Sequence, residues 1–416
     1  MAVAWLEDVR STDLGTVGGK AASLGELTEA GLPVPPGFVV TAGTYRTFIE
    51  EAGIDEELFS AVDVDSEDSE ALETAHERAH ELIVETEVPE SVRAEIVEAY
   101  RSMGDGETFV AVRSSATAED LPDASFAGQQ ETFLNVTEDD LVDRVQECWA
   151  SLFSQRAIYY RNQKGFPHDE VDIAVVVQTM VDAEKSGVMF TSHPSTGDPR
   201  IIVEAAWGLG EAVVAGAVSP DNYVVDRTTG EVETMTVATK KVMHVKDDET
   251  GETVEREVPA DKREQQVLTQ AEIDRLIELG KRVEDHYGEP QDVEWAVAGG
   301  EVYMLQSRPI TTIDDGTSDA ADETDEDDGG DDHLLSGLGA SPGVVSGAVR
   351  IVTKLDHLDQ VSDGDVIVTE MTMPDMVPAM KRAAAIVTDD GGMTSHAATV
   401  SRELGVPAVA RSRGRS

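Results

Sequence analysis

Residues 314–332 read DDGTSDAADETDEDDGGDD: eleven of the nineteen are acids, and no aliphatic side chain is larger than alanine. Such a run has nothing to bury and repels itself, so it cannot join a hydrophobic core. The 416-residue chain is therefore expected to fold as bodies on either side of a tether. A flexible chain of about 20 residues spans roughly 25 Å, more when like charges extend it. The expected division is a first domain at 1–313, a linker at 314–333, a small second domain at 334–409 and an atypical basic tail at 410–416.

The acids are not confined to that run. Asp and Glu number 83 against 32 Lys and Arg, a net charge of −51. A surface this acidic repels phosphate backbones, and there is no basic stripe interleaved with aromatics, which excludes nucleic acid as a partner. Self-repulsion at this charge destabilises a compact chain unless salt screens it, so a halophilic, high-salt cytoplasm is expected. Hydrophobic residues still make up 40% of the chain, enough for real cores. No run approaches the ~20 apolar residues of a membrane span, and MAVAWLEDVRSTD carries no basic-then-apolar signal. A soluble, cytoplasmic protein is the expectation. The single cysteine, Cys148, permits no intrachain disulfide. Beside Trp149 and among Val145, Leu152 and Phe153, it reads as a small buried hydrophobe.

The first region mixes strand-like runs (PPGFVVT, TFVAVRSSA, VDIAVVVQTMV, RIIVEAA) with helical ones (GKAASLGELTEAG, QAEIDRLIELGKRVEDHYG). EDDLVDRVQECWASLFSQRAIYYRNQKG reads as one further helix. Around residues 55–101, Leu58, Val62, Leu72, Ala75, Ala79, Leu82 and Ile83 fit amphipathic helices. The mixture predicts an α+β fold rather than a uniform parallel sheet.

Four segments suit phosphate chemistry. Gly18-Gly19-Lys20 opens a helix closed near Gly31 and Pro33; free N–H groups at a helix start and a mobile ammonium attract anions. A tight turn with a surface lysine is the plain alternative. Arg113 ends an apolar strand in Val-Arg-Ser-Ser-Ala, where a guanidinium can grip phosphate oxygens bidentately or equally pair with one of the many acids. In the loop that follows, Gly128 allows close backbone approach, and Gln129 and Gln130 could cover a polyphosphate; an ordinary hairpin connection is the alternative. Gln291-Asp292-Val293-Glu294 and Gln306-Ser307-Arg308 flank a Gly299-Gly300 turn. Asp292 and Glu294 share one strand face, and Gln306 and Arg308 share one on the return strand. Two carboxylates, an amide oxygen and an arginine suit Mg²⁺ beside a phosphate, or else a solvated acidic hairpin. Finally, Asp389-Asp390-Gly391-Gly392-Met393-Thr394-Ser395-His396 runs from a strand into an Ala-rich helix that ends at Gly405 and Pro407. Thr394 or Ser395 can cap that helix, and a helix start favours a neutral, nucleophilic imidazole and receives a phosphate carried on it.

GGKAASLGEL, VRSSA, QDVEWAV…YMLQSRPI and GGMTSHAATVSRELGVPAV, in this order, resemble the phosphoenolpyruvate synthase (pyruvate, water dikinase) family, which shares its motifs with pyruvate, phosphate dikinase. The resemblance runs to about residue 409. It implies an ATP-grasp-like nucleotide-binding domain followed by a small swivelling phosphohistidine domain, with ATP phosphorylating a histidine that then serves pyruvate to form phosphoenolpyruvate. Carried over, Lys20 and Arg113 would hold ATP phosphates, Glu294 and Gln306 would bind Mg²⁺ with Asp292 and Arg308 beside them, and His396 would carry the phosphoryl group. The segment VVVQTMV matches the family's adenine-facing strand, which makes Gln178, Met180 and Val181 candidates for base contacts.

Members of that family continue into a C-terminal barrel that binds pyruvate, and the basic run Arg411-Ser-Arg-Gly-Arg-Ser416 stands where an aliphatic strand should follow GVPAVA. A truncated or split enzyme is expected. The alternatives are a pyruvate, phosphate dikinase-like protein, a phosphocarrier or regulatory module, and an inactive fragment.

Overall fold

The computed structural model describes residues 2–65, 68–104, 108–117, 120–121, 124–125, 131–214, 218–247, 250–310, 335–373 and 376–414. The expected linker at 314–333 and the loop residues Gly128, Gln129 and Gln130 lie outside them. The fold is α+β, in two compact units. One comprises Met1–Val181 with Lys246–Thr253 and Met304–Ser307; the other comprises Asp182–Val245, Val254–Tyr303 and Arg308–Ser416.

The first unit is built on β1 (Val3–Trp5), β2 (Gly37–Val40), β3 (Val110–Ala116), the two-residue pair β4 (Asp120–Leu121) and β5 (Ala124–Ser125), β6 (Thr132–Val136) and β7 (Ile173–Thr179). Its main sheet runs β1-β2-β7-β3-β6 with antiparallel pairing throughout. The central strand β7, IAVVVQT, is apolar on both faces because the sheet is covered on both. Helices Asp55–Val62, Ser69–Val84 and Glu90–Ser102 turn Leu58, Val62, Leu72, Ala75, Ala79, Leu82 and Ile83 into one core with Phe48, Trp149 and Phe153. The Phe48 and Trp149 rings stack at 4.9 Å. Cys148 is buried there, and burial pushes its thiol well above the usual range. The long helix expected from residue 138 onward is two: Glu138–Ala150 and Gln155–Lys164, separated by a short 3₁₀ turn. Ser154, whose side chain accepts from Ala157 N, caps the second.

The second unit holds β8 (Lys185–Phe190), β9 (Arg200–Trp207), β10 (Asp221–Asp226), β11 (Val232–Thr236), a ribbon of β12 (Val242–Lys246) and β13 (Thr253–Glu257), then β14 (Gln291–Ala298) and β15 (Glu301–Pro309). The sheet order is β11-β10-β9-β8-β14-β15. Gly299 and Gly300 join the last two strands with positive φ at both positions, as a two-residue hairpin turn demands. Helix Gln270–Tyr287 starts on a Thr269/Glu272 capping box and ends at a left-handed Gly288. A further sheet follows from β16 (Leu335–Ser341), β17 (Val349–Ile351), β18 (Val366–Thr369), β19 (Ala385–Thr388) and β20 (Ala408–Gly414), in the order β16-β20-β19-β18-β17. Here β17 to β20 are parallel and β16 is antiparallel to β20. β20 continues through the basic run to Gly414, because ladder pairing with Leu335 and Ser336 uses backbone groups and needs no aliphatic side chain. Among the described residues no helix is long and apolar enough to cross a membrane.

Candidate functional site

In the first unit, helix Leu14–Glu29 is broken at Gly18, whose φ of 76° and ψ of 170° are non-helical. Only glycine fits: a Cβ there would lie 2.2 Å from Ser115 O. The break restarts the helix at Gly19-Lys20 against β3. Ala21 N donates to Ser115 Oγ at 3.3 Å, and Lys20 Nζ donates to Ser114 O at 3.3 Å. Arg113, on the same strand, donates from Nη1 to Leu305 O at 3.2 Å, while its buried Nε has no hydrogen-bond partner among the described residues. Lys20 is thus brought to β3, the strand that carries Arg113. The three base-contact candidates part company. Gln178 is buried and its amide donates to Pro35 O at 3.1 Å, which fixes that side chain in the sheet. Met180 and Val181, just past β7, are half-buried, and Met180 N donates to Phe109 O at 2.9 Å.

In the second unit the strand registers line up acids. Asp292 lies opposite Phe190, and Phe190 opposite Ile202. One row along, Glu294 lies opposite Val188, and Val188 opposite Glu204. Residues paired across neighbouring strands share a face, so Asp292, Glu294 and Glu204 all stand on one side of β14-β8-β9. Two strand spacings put the Cα atoms of Glu294 and Glu204 about 10 Å apart. Arg308 reaches back to Asp292, Nε to Oδ2 at 2.9 Å. Gln306 falls in the Met304–Ser307 stretch of β15, which belongs to the first unit.

The histidine helix, His396–Leu404, begins as expected: the Ser395 side chain accepts from Ala398 N, and Gly405 closes the helix in the left-handed region. His396 is half-buried rather than sealed in the core. Its Nδ1 lies 2.8 Å from the Thr372 hydroxyl, which orients the ring. The loop ahead of it meets Glu204. Met393 N donates to Glu204 Oε1 at 2.5 Å, and Thr394 donates to Oε2 from its N at 3.2 Å and its hydroxyl at 2.7 Å. Around this contact Val188, Phe190 and Ile202 pack with Met376, Met380 and Met393. Ser219 donates to Asp390 at 3.3 Å. Arg402 Nη2 holds Met393 O at 2.8 Å; burial pulls its guanidinium below the usual range, with Asp292 and Glu204 opposing that shift.

Sequence reasoning named Lys20, Arg113, Asp292, Glu294, Gln306, Arg308 and His396 but missed Glu204 and Thr372. The signal for Glu204 was present: a carboxylate inside the otherwise apolar run RIIVEAAW, fully buried in the fold. Such a charge requires partners. Among the described residues no three His, Cys, Asp or Glu gather as a metal cluster. Glu294 offers carboxylate oxygens, the donor type that Mg²⁺ takes.

Comparison with known proteins agrees with these motifs. The family signature described as "Pyruvate phosphate dikinase, AMP/ATP-binding domain" matches residues 14–329, and "PEP-utilising enzyme, mobile domain" matches 361–415. A probable phosphoenolpyruvate synthase of Archaeoglobus fulgidus is 56% identical, covering 98% of this chain and 55% of that protein. Its counterpart in Methanothermobacter thermautotrophicus is 52% identical over 98% of this chain and 59% of its own length. The phosphoenolpyruvate synthase of Pyrococcus furiosus is 45% identical over 98% and 55%. The chain thus spans little more than half the length of these relatives. A D-alanine–D-alanine ligase from Helicobacter pylori matches 54% of this chain and 47% of its own at 12% identity, with a TM-score of 0.25, too low to bear on the fold.

Proposed function

This chain belongs to the phosphoenolpyruvate synthase and pyruvate, phosphate dikinase family of phosphotransferases, and on that premise we propose that it loads a phosphoryl group from ATP onto His396. Thr372 holds Nδ1, and the proposed nucleophile is Nε2. Nε2 attacks the β-phosphorus, AMP departs with the electrons of the broken P–O bond, and water then removes the terminal phosphoryl group as phosphate. The histidine splits one difficult transfer into two easier ones. Lys20 and Arg113 hold the phosphates by charge, and Met180 and Val181 contact the base. Gln178 supports that strand from within. Glu294 and Gln306 would hold Mg²⁺, which when bound neutralises phosphate charge; Asp292 keeps Arg308 oriented beside them. The single observation that carries the reading is the seating of the histidine loop on the sheet face bearing Asp292 and Glu294.

The domain at 334–409 then swings on the acidic linker, and phosphoenolpyruvate forms where a pyruvate-binding barrel is supplied. The proposed setting is a salt-rich cytoplasm and the supply of phosphoenolpyruvate to gluconeogenesis. The test is incubation with Mg²⁺ and β-³²P-labelled ATP in molar KCl. Acid-labile, base-stable label is expected on His396, absent in His396→Asn and lost in Glu294→Ala. Wild-type protein that takes up no label, or label that survives His396→Asn, refutes the proposal.

A further inference from the structure

Glu204 is fully buried on β9 between Val203 and Ala205, which are buried too. A carboxylate in that setting is expensive to desolvate unless donors meet it. The donors come from 189 residues away: two consecutive backbone N–H groups, of Met393 and Thr394, and the Thr394 hydroxyl. Consecutive N–H groups ahead of a helix form a concavity for an anion, and charge-assisted bonds of this kind are the strong ones. The loop is shaped to match. A Cβ on Gly392 would come within 2.3 Å of Glu204 Oε1, so glycine is what lets the carboxylate approach. Two residues beyond Thr394 stands His396.

We propose that Glu204 is the docking anchor of the histidine loop, a positioning residue that seats His396 on the Asp292–Glu294 face for loading. This rests on the phosphotransfer reading above. The anchor sits in the same cross-strand row as Glu294, with Val188 between them. Fixing the loop to that row therefore fixes how far the imidazole stands from the carboxylates. Orientation of this kind acts on the transfer step and leaves nucleotide affinity alone.

The test compares wild type with Glu204→Gln, which keeps the shape but turns one acceptor into a donor facing N–H groups. Two readouts are taken: the single-turnover rate of His396 labelling from β-³²P-labelled ATP, and amide exchange across residues 390–396. The labelling rate is expected to fall at least about tenfold, because charged hydrogen bonds are lost. Nucleotide binding should stay within about twofold, and loop exchange should accelerate. Gly392→Ala attacks the same contact from the loop side and should give the same pattern; the double variant should be no slower than the slower single one, since both break one contact. If Glu204→Gln unfolds, Gly392→Ala and the half-buried Thr394→Val carry the same comparison. Unchanged loop exchange overturns the anchor, and accelerated exchange with wild-type labelling overturns its positioning role. If wild-type protein takes up no label at all, the phosphotransfer reading fails, while the exchange comparison still decides whether Glu204 holds the loop.

Discussion

Removing Lys240 should cost about 3 kcal/mol of stability, and removing its partner Asp221 should cost more. The two form an ion pair at 2.5 Å with side-chain exposures of 1% and 0%. Truncating one member of a buried pair costs about 3–5 kcal/mol, because the other charge is left without its countercharge. Asp221 accepts four hydrogen bonds: Lys240 Nζ and Ala238 N on Oδ1, and Val267 N and the Tyr223 hydroxyl on Oδ2. In Lys240→Met three of these donors remain, which places the loss at the low end. In Asp221→Ala the ammonium keeps, among the described residues, Ala238 O at 2.8 Å, and two backbone N–H groups lose their acceptor at about 1–3 kcal/mol each. The expected loss is then about 5 kcal/mol or more. Urea unfolding at fixed KCl measures both. Because the pair is buried, the loss from Lys240→Met should be alike in low and molar KCl, whereas a surface pair would be screened away. A Lys240→Met variant within about 1 kcal/mol of wild type, or less stable than Asp221→Ala, refutes the reasoning.

Thr372→Val should slow His396 labelling by about 2–10-fold without altering nucleotide binding, since one neutral hydrogen bond orienting the ring is lost; an unchanged rate places the orientation elsewhere. His168 is pushed down to about 4 by burial and then by Arg161, whose Nε donates to it at 2.9 Å. The unfolded chain then binds more protons, so this contribution is complete above about pH 6.5 and is lost as pH falls toward 4. His168→Asn should therefore lose less stability than wild type between pH 7 and pH 4.5 in urea unfolding, and an equal loss contradicts the assignment. At a net charge of −51, the thermal midpoint should rise from low to molar KCl as self-repulsion is screened; a midpoint indifferent to salt counts against the high-salt expectation.

Much of the fold was legible because its signals are local. The buried positions of the helices at 55–101 follow a 3.6-residue period, and β7 reads as a continuous apolar run. Ser395 and Gly405 mark the ends of the histidine helix by cap chemistry alone. The single helix expected beyond residue 138 breaks after Ala150, and Ser154, a capping residue hidden within an otherwise helical pattern, starts the second one. Gln178 was named from its place in a motif, yet its amide is turned into the sheet toward Pro35, a direction that no run of sequence specifies.

The sequence by itself determined the acidic composition of residues 314–332 and the glycine and cap positions that start and end helices, all set by neighbours within a few residues. Tertiary structure alone decided that a carboxylate on β9 meets a loop 189 residues later, that Glu294, Val188 and Glu204 fall in one row, and that Thr372 reaches the imidazole. Those facts depend on strand register, where a slip of one residue turns every side chain to the opposite face. Register is settled by the packing of whole sheets rather than by any short stretch of chain.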